Sequence, residues 1–249
     1  MKTYKMMVAF TLIFISACGG KGLSENEISA LQTSAVETIF AGATITATAS
    51  IPTSTPAPTN TPIPTPTNTP TPNPIVLNGQ GDNVIDFQKW DGPALAHVTN
   101  TGSGNFIVYS YDSSGNMIDL LVNVIGNYDG TIPLDFNDNE RAARMEIKSD
   151  GQWVVEIYPI SIQYIKIMDV PGEYYGKGDD VVFLKNTPDT AEFNTSASGN
   201  FIVLAYGEYQ IDLAVNEIAP YNGKVALNKD VLILVVKSTG EWHVSITGR

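Results

Sequence analysis

Cysteine is nearly absent from this chain. Cys18 is the only one in 249 residues, so no disulfide can close within the chain and any folded part must rest on its apolar core. Histidine is scarce too, with His97 and His243 alone. No Gly-x-Ser-x-Gly elbow, His-Glu-x-x-His pair or phosphate-cradling Gly-Lys-Ser/Thr occurs, so the common nucleophilic, zinc-hydrolase and nucleotide sites have no footing here. Basic residues are outnumbered, 14 Lys and Arg against 26 Asp and Glu, for a net charge of -12. Before residue 75 the charges cancel: Lys2, Lys5 and Lys21 balance Glu25, Glu27 and Glu37. The whole excess therefore lies in residues 75–249. A surface that acidic repels phosphates, which argues against nucleic acid and anionic headgroups and leaves cations, basic partners and neutral sugars. Long apolar runs are missing as well. The longest near the N-terminus, residues 6–15, is far shorter than the roughly 20 residues a membrane-spanning helix needs.

What is present begins with that short run. Lys2 and Lys5 precede it and Ile15-Ser16-Ala17-Cys18 follows it. A basic start, a brief apolar stretch and small residues before a cut describe a secretory signal. With cysteine just after the cut, residues 1–20 resemble a bacterial lipoprotein signal and its lipobox, Ile15 standing where leucine is commoner. The resemblance implies a signal peptide over 1–17 and a lipidated (palmitate-bearing) N-terminus at Cys18. It also implies an exported protein held on a bacterial membrane, extracytoplasmic or at the cell surface. Acyl chains contribute about 0.8 kcal/mol per buried CH₂, so several would anchor the chain stably. Over residues 18–42, Ser24 and Glu27 form a capping box, and Ile28, Leu31, Ala35, Val36 and Ile39 recur at helical spacing. These features predict a short amphipathic helix near 25–41. Residues 43–74 are Thr, Pro, Ala, Ser and Asn almost throughout. No core can be built from them, and a disordered, polyproline-like linker is expected, with threonines suited to O-glycosylation. At about 3.1 Å per residue, roughly 23 residues of it would reach near 70 Å.

Past Pro74 the texture changes to short alternating runs broken by Gly, Asn and Asp, and the pattern occurs twice. Ser103-Gly104-Asn105-Phe106-Ile107-Val108 matches Ser198-Gly199-Asn200-Phe201-Ile202-Val203. Gly79-Gln80-Gly81-Asp82 matches Gly176-Lys177-Gly178-Asp179, Tyr128-Asp129-Gly130 matches Tyr221-Asn222-Gly223, and Lys148-Ser149 with Trp153 matches Lys237-Ser238 with Trp242. The order is kept throughout, which marks a tandem duplication. Period-2 alternation places Trp153, Val155 and Ile157 on one face, echoed by Trp242, Val244 and Ile246. The same reading puts Ile118, Leu120 and Val122 inward, echoed by Ile211, Leu213 and Val215. Each copy offers about seven or eight short strands and no useful helical segment. The expected fold is all-β: two tandem antiparallel β-sandwiches, jelly-roll-like or immunoglobulin-like, over 75–159 and 160–249. Residues 160–168 are apolar and join the copies almost without a linker, so a fixed contact between them is expected. The whole arrangement is similar to bacterial surface lipoproteins with tandem β-sandwich modules, a resemblance that carries over no catalytic or binding residue.

Candidate sites come both from what the two copies share and from what they do not. Trp153 and Trp242 recur in inward phase and read as core. Trp90 has no counterpart, since the aligned residue is Thr187, and Tyr174 and Tyr175 are unmatched as well. These three form the candidate ligand-binding patch for a glycan or protein. Asp82, Asp179 and Asp180 follow Gly-x-Gly turns and are candidate Ca²⁺ ligands, although Asx residues at turns normally bond their own backbone. Asp119 with Asn123, and Asp212 with Asn216, read as solvent-facing polar pairs. The leading function is a non-catalytic, membrane-anchored surface lipoprotein whose modules bind or adhere. The alternatives are a structural spacer or envelope-assembly part, and a carbohydrate-active enzyme working with carboxylates alone.

Overall fold

The computed structural model describes residues 71–249. The leader, Cys18, the 25–41 segment and the Thr/Pro stretch up to residue 70 lie outside the described residues. Among the described residues every regular element is a strand. The first copy holds β1 (Ile75–Gln80), β2 (Asn83–Asp86), β3 (Ala94–Asn100), β4 (Asn105–Tyr111), β5 (Met117–Ile125), β6 (Tyr128–Leu134), β7 (Arg144–Lys148) and β8 (Gln152–Pro159). Then come β9 (Lys166–Asp169), β10 (Gly172–Lys177), β11 (Asp180–Lys185), β12 (Pro188–Gly207), β13 (Ile211–Ala226), β14 (Val231–Lys237) and β15 (Glu241–Gly248).

In the first copy two four-stranded sheets, ordered β1-β8-β3-β6 and β2-β7-β4-β5, face each other. The second copy repeats this pairing with fewer breaks. β12 does the work of β3 and β4: its first half pairs β15 and its second half pairs β14. β13 likewise stands for β5 and β6, and pairs β12 along its whole length. Registers coincide. Gly79 sits opposite Trp153 as Gly176 sits opposite Trp242, and Ala96 opposite Ile157 as Ala191 opposite Ile246. The turns coincide too. Gly81 and Gly178 both take positive φ (69° and 80°), and each donates its N–H to the equivalent carbonyl, Gly151 or Gly240. Among the described residues all strand ladders are antiparallel except one. β9 lies parallel to β11 and extends the second copy by an edge strand that the first copy lacks.

The inward faces of the Trp strands are as the alternation requires: Trp153, Val155 and Ile157 are buried, and so are Trp242, Val244 and Ile246. The alternation fails along β5 and its equivalent β13. Val108 opposes Val122 and Tyr109 opposes Leu120, so Leu121 is an extra residue in the ladder; Val203/Val215 and Leu204/Leu213 repeat the bulge. A bulge slips the period by one residue. Leu120 and Leu213 therefore fall on the outer face, with Leu120 half-buried and Leu213 56% exposed, contrary to the inward reading. Ile211 is exposed as well, while Val122 and Val215 stay inside.

The two copies are fastened face to edge. The outer face of β11, β14 and the end of β12 presents Val181, Phe183, Ile233, Val235 and Leu204, and all five belong to the buried cluster of the first copy. Burying five such side chains favours the contact by on the order of 10 kcal/mol before entropy is charged, ample to fix the copies. Phe136 meets Tyr206 edge to face at 5.9 Å across this seam. The Thr131 N–H donates to the Asp179 carbonyl at 2.7 Å, and Gly130 bridges to Asp179. Gly130 is required there, because a Cβ would fall 2.2 Å from the Asp179 Cβ.

Candidate binding cleft between the two copies

Beside that seam opens a cleft of about 900 Å³, within the range of small-molecule sites, which favour domain interfaces. β3 and β6 supply Leu95, His97, Tyr128 and Asp129, and the β5 end supplies Val124 and Ile125. The tight passage from β8 to β9 supplies Tyr158, Gln163, Tyr164 and Lys166; the Gly178 turn supplies Asp179 and Asp180. Tyr164 and Ile165 close a turn onto the Ser161 carbonyl, which brings the Tyr164 ring to 4.8 Å from that of Tyr158. Burial, and next the Glu156 carboxylate, push the Tyr158 hydroxyl up to about 12.

Polar groups in and around the cleft are mostly engaged. His97 Nε2 is 2.8 Å from Asp129 Oδ1 and its Nδ1 is 3.3 Å from Glu156 Oε2. Asp180 is fully buried and bonds Lys166 Nζ at 2.5 Å and the Tyr174 hydroxyl at 3.1 Å. Burial raises its pKa to about 6 against the pull of Lys166. Asp179 accepts the Tyr128 hydroxyl across the seam, and burial holds its carboxyl well above the usual range. Lys237, 3% exposed, is brought down to about 7 by burial, although the Asp179 and Asp119 carboxylates oppose the shift. Burial thus drives both members of the Asp179–Lys237 pair toward their neutral forms. Asp119 is drawn into the same polar group: burial raises its pKa and Lys237 opposes the change. It is not the solvent-facing partner of Asn123 that the sequence implied, whereas Asn123 is exposed.

The residues singled out from sequence are scattered. Trp90 is half-buried against the first core. Its segment is held by Lys89, whose Nζ donates to the Trp90 and Gly92 carbonyls and pairs at 2.9 Å with the buried Asp135. Tyr174 is a core residue, 7% exposed, with its ring 5.7 Å from Trp242. It occupies the register position of Leu77, each opposite a core valine of the last strand, so it is no surface platform. Tyr175 is exposed and stacks on His243 at 4.3 Å in a second, smaller groove of about 390 Å³. The three candidate calcium ligands do not converge. Asp82 accepts the Ser149 N–H in the first copy, Asp179 turns toward Tyr128 and Asp180 toward Tyr174. Among the described residues no three His, Cys, Asp or Glu side chains gather as metal ligands. The cleft itself was missed, since its walls come from both copies. The seam beside it does leave a sequence signal: β11 and β14 are apolar on both faces, where β7 alternates.

No protein-family model matches the chain, and no curated protein does.

Proposed function

We propose that this protein is a non-catalytic, exported lipoprotein, held on a bacterial membrane through Cys18, whose two sandwiches act as one binding head at the end of a stalk. The observation that carries the reading is the burial of Val181, Phe183, Leu204, Ile233 and Val235 against the first copy. Two modules so joined present a fixed surface with a cleft at their seam, and a preorganised surface binds without the cost of ordering its parts. Asp179 and Asp180 already answer to Tyr128, Tyr174 and Lys166, which favours a structural use of these carboxyls over acid–base turnover. The net charge of -12 points away from nucleic acid as a partner. The test uses the chain from residue 19 onward on glycan and surface-protein arrays. A discrete, saturable set of ligands is expected. Retention of none would leave the chain as a spacer.

A further inference from the structure

We propose that the seam cleft takes a neutral, polyhydroxylated ligand, a short segment of a glycan. This rests on the binding-head reading and assigns it a site and a ligand class. Lys166 pairs with Asp180 and His97 with Asp129, so an ionic ligand would have to displace a partner to use either; Lys177, exposed at the end of β10, is the one lining cation among the described residues outside these pairs. The rest of what the cleft offers is uncharged. Leu95, Val124 and the Tyr158–Tyr164 pair form apolar walls, and Asn127 and Gln163 bring amides that both donate and accept. A sugar ring presents the complement: a C–H face, and hydroxyls that also donate and accept.

A buried hydroxyl supports the same assignment independently. Ser238 lines the cleft, is 3% exposed, and its Oγ has no hydrogen-bond partner. Its equivalent in the first copy, Ser149, donates to Asn100 Oδ1 at 2.7 Å. The second copy has Thr195 in the place of Asn100, and the Thr195 hydroxyl is turned to the Glu241 carbonyl. Duplication has thus kept the serine and removed its partner only where the serine borders the cleft. Buried hydroxyls without partners are uncommon and costly, and a ligand hydroxyl supplies the missing bond.

The test is calorimetric titration with amide shift mapping on the chain from residue 19 onward. The probes are neutral trisaccharides of glucose, mannose and N-acetylglucosamine, set against a uronic-acid trisaccharide. Saturable binding of at least one neutral probe is expected, with shifts at Asn127, Gln163 and Tyr164. Gln163→Trp, which narrows the mouth from an exposed position, should weaken binding at least about tenfold. Ser238→Ala should weaken it several-fold without lowering the thermal midpoint, a pattern that loss of a structural hydrogen bond would not give. Tyr175→Ala, in the other groove, should leave it unchanged. No binding of any neutral probe up to ~10 mM, or tighter binding of the uronic acid, overturns the assignment. Shifts gathered around Tyr175 and His243, or array ligands held at full strength by Gln163→Trp, overturn the cleft while the binding head stands. Silence of both trisaccharides and arrays overturns both.

Discussion

Asp180 has three hydrogen-bond partners and no exposure: Lys166 Nζ, the Tyr174 hydroxyl and the Val181 N–H, the last at 2.8 Å. Burial still wins over these partners, since its pKa rises from 3.8 to about 6. The folded state therefore holds this proton more tightly than the unfolded chain does. The stability it contributes is fully present below pH 3.8 and is lost as the pH rises through about 6; the gap corresponds to about 3 kcal/mol. Asp180→Asn removes the ionisation. Urea unfolding of both proteins from pH 4 to 7.5 should show the wild type losing roughly 2–3 kcal/mol relative to the variant. A difference that stays flat with pH would mean that Lys166 fully offsets burial. Tyr174, its neighbour, marks a limit of reading residues by repetition. A side chain differing from its counterpart in type can still occupy the same core position, as Tyr174 does for Leu77. The Trp153 and Trp242 faces were legible because type and phase agreed in both copies.

At the scale of strands, equivalent sheet faces have diverged in a single direction. Val235, Ile233, Phe183 and Leu204 on the second copy correspond by register to Glu146, Arg144, Asp86 and Tyr109 on the first. The first set is buried in the seam. The second faces outward and finds its partners on its own sheet, Arg144 with Asp86 at 2.7 Å and Glu146 with Lys148 at 2.5 Å. A face turned to water needs charge, and a face turned to a neighbour needs its absence. Exchanging one residue between the copies tests this. Val235→Glu should bury an unpaired carboxylate and cost about 3–5 kcal/mol, with lost protection of the Thr131 and Asp179 region in hydrogen exchange. Glu146→Val at the equivalent place should cost far less, because it removes a solvent-screened pair with Lys148 and the Tyr111 hydrogen bond and buries no charge. Equal effects would refute the assignment of the two faces. Strand number, duplication and the all-β class were legible in the alternation of each run. The bulge at Leu121 was not, because nothing in an unbroken apolar stretch marks where the ladder gains a residue.

At the scale of the whole molecule, the two joined copies are read as the head of a chain with a proposed leader over 1–17 and a proposed stalk over 43–74. The head is acidic, and repulsion keeps such a surface from settling onto anionic headgroups. Among the described residues no helix is long and apolar enough to cross a membrane. The proposed attachment is through acyl chains on Cys18. One acyl chain gives marginal, reversible binding, and stable anchoring takes two signals. Several chains on one cysteine meet that requirement with no help from the head. Cys18→Ser removes the acceptor without touching any described residue. In a lipoprotein-processing bacterium, the wild type should incorporate labelled palmitate and sediment with membranes. The variant should incorporate none, while its purified 71–249 portion unfolds at the wild-type temperature. The proline spacing predicts a further difference: protease added to intact cells should cut the stalk and release a head that still sediments as one body. Membrane retention of the variant after cleavage of its leader would place the anchor elsewhere and remove the reason for a lone cysteine at that position.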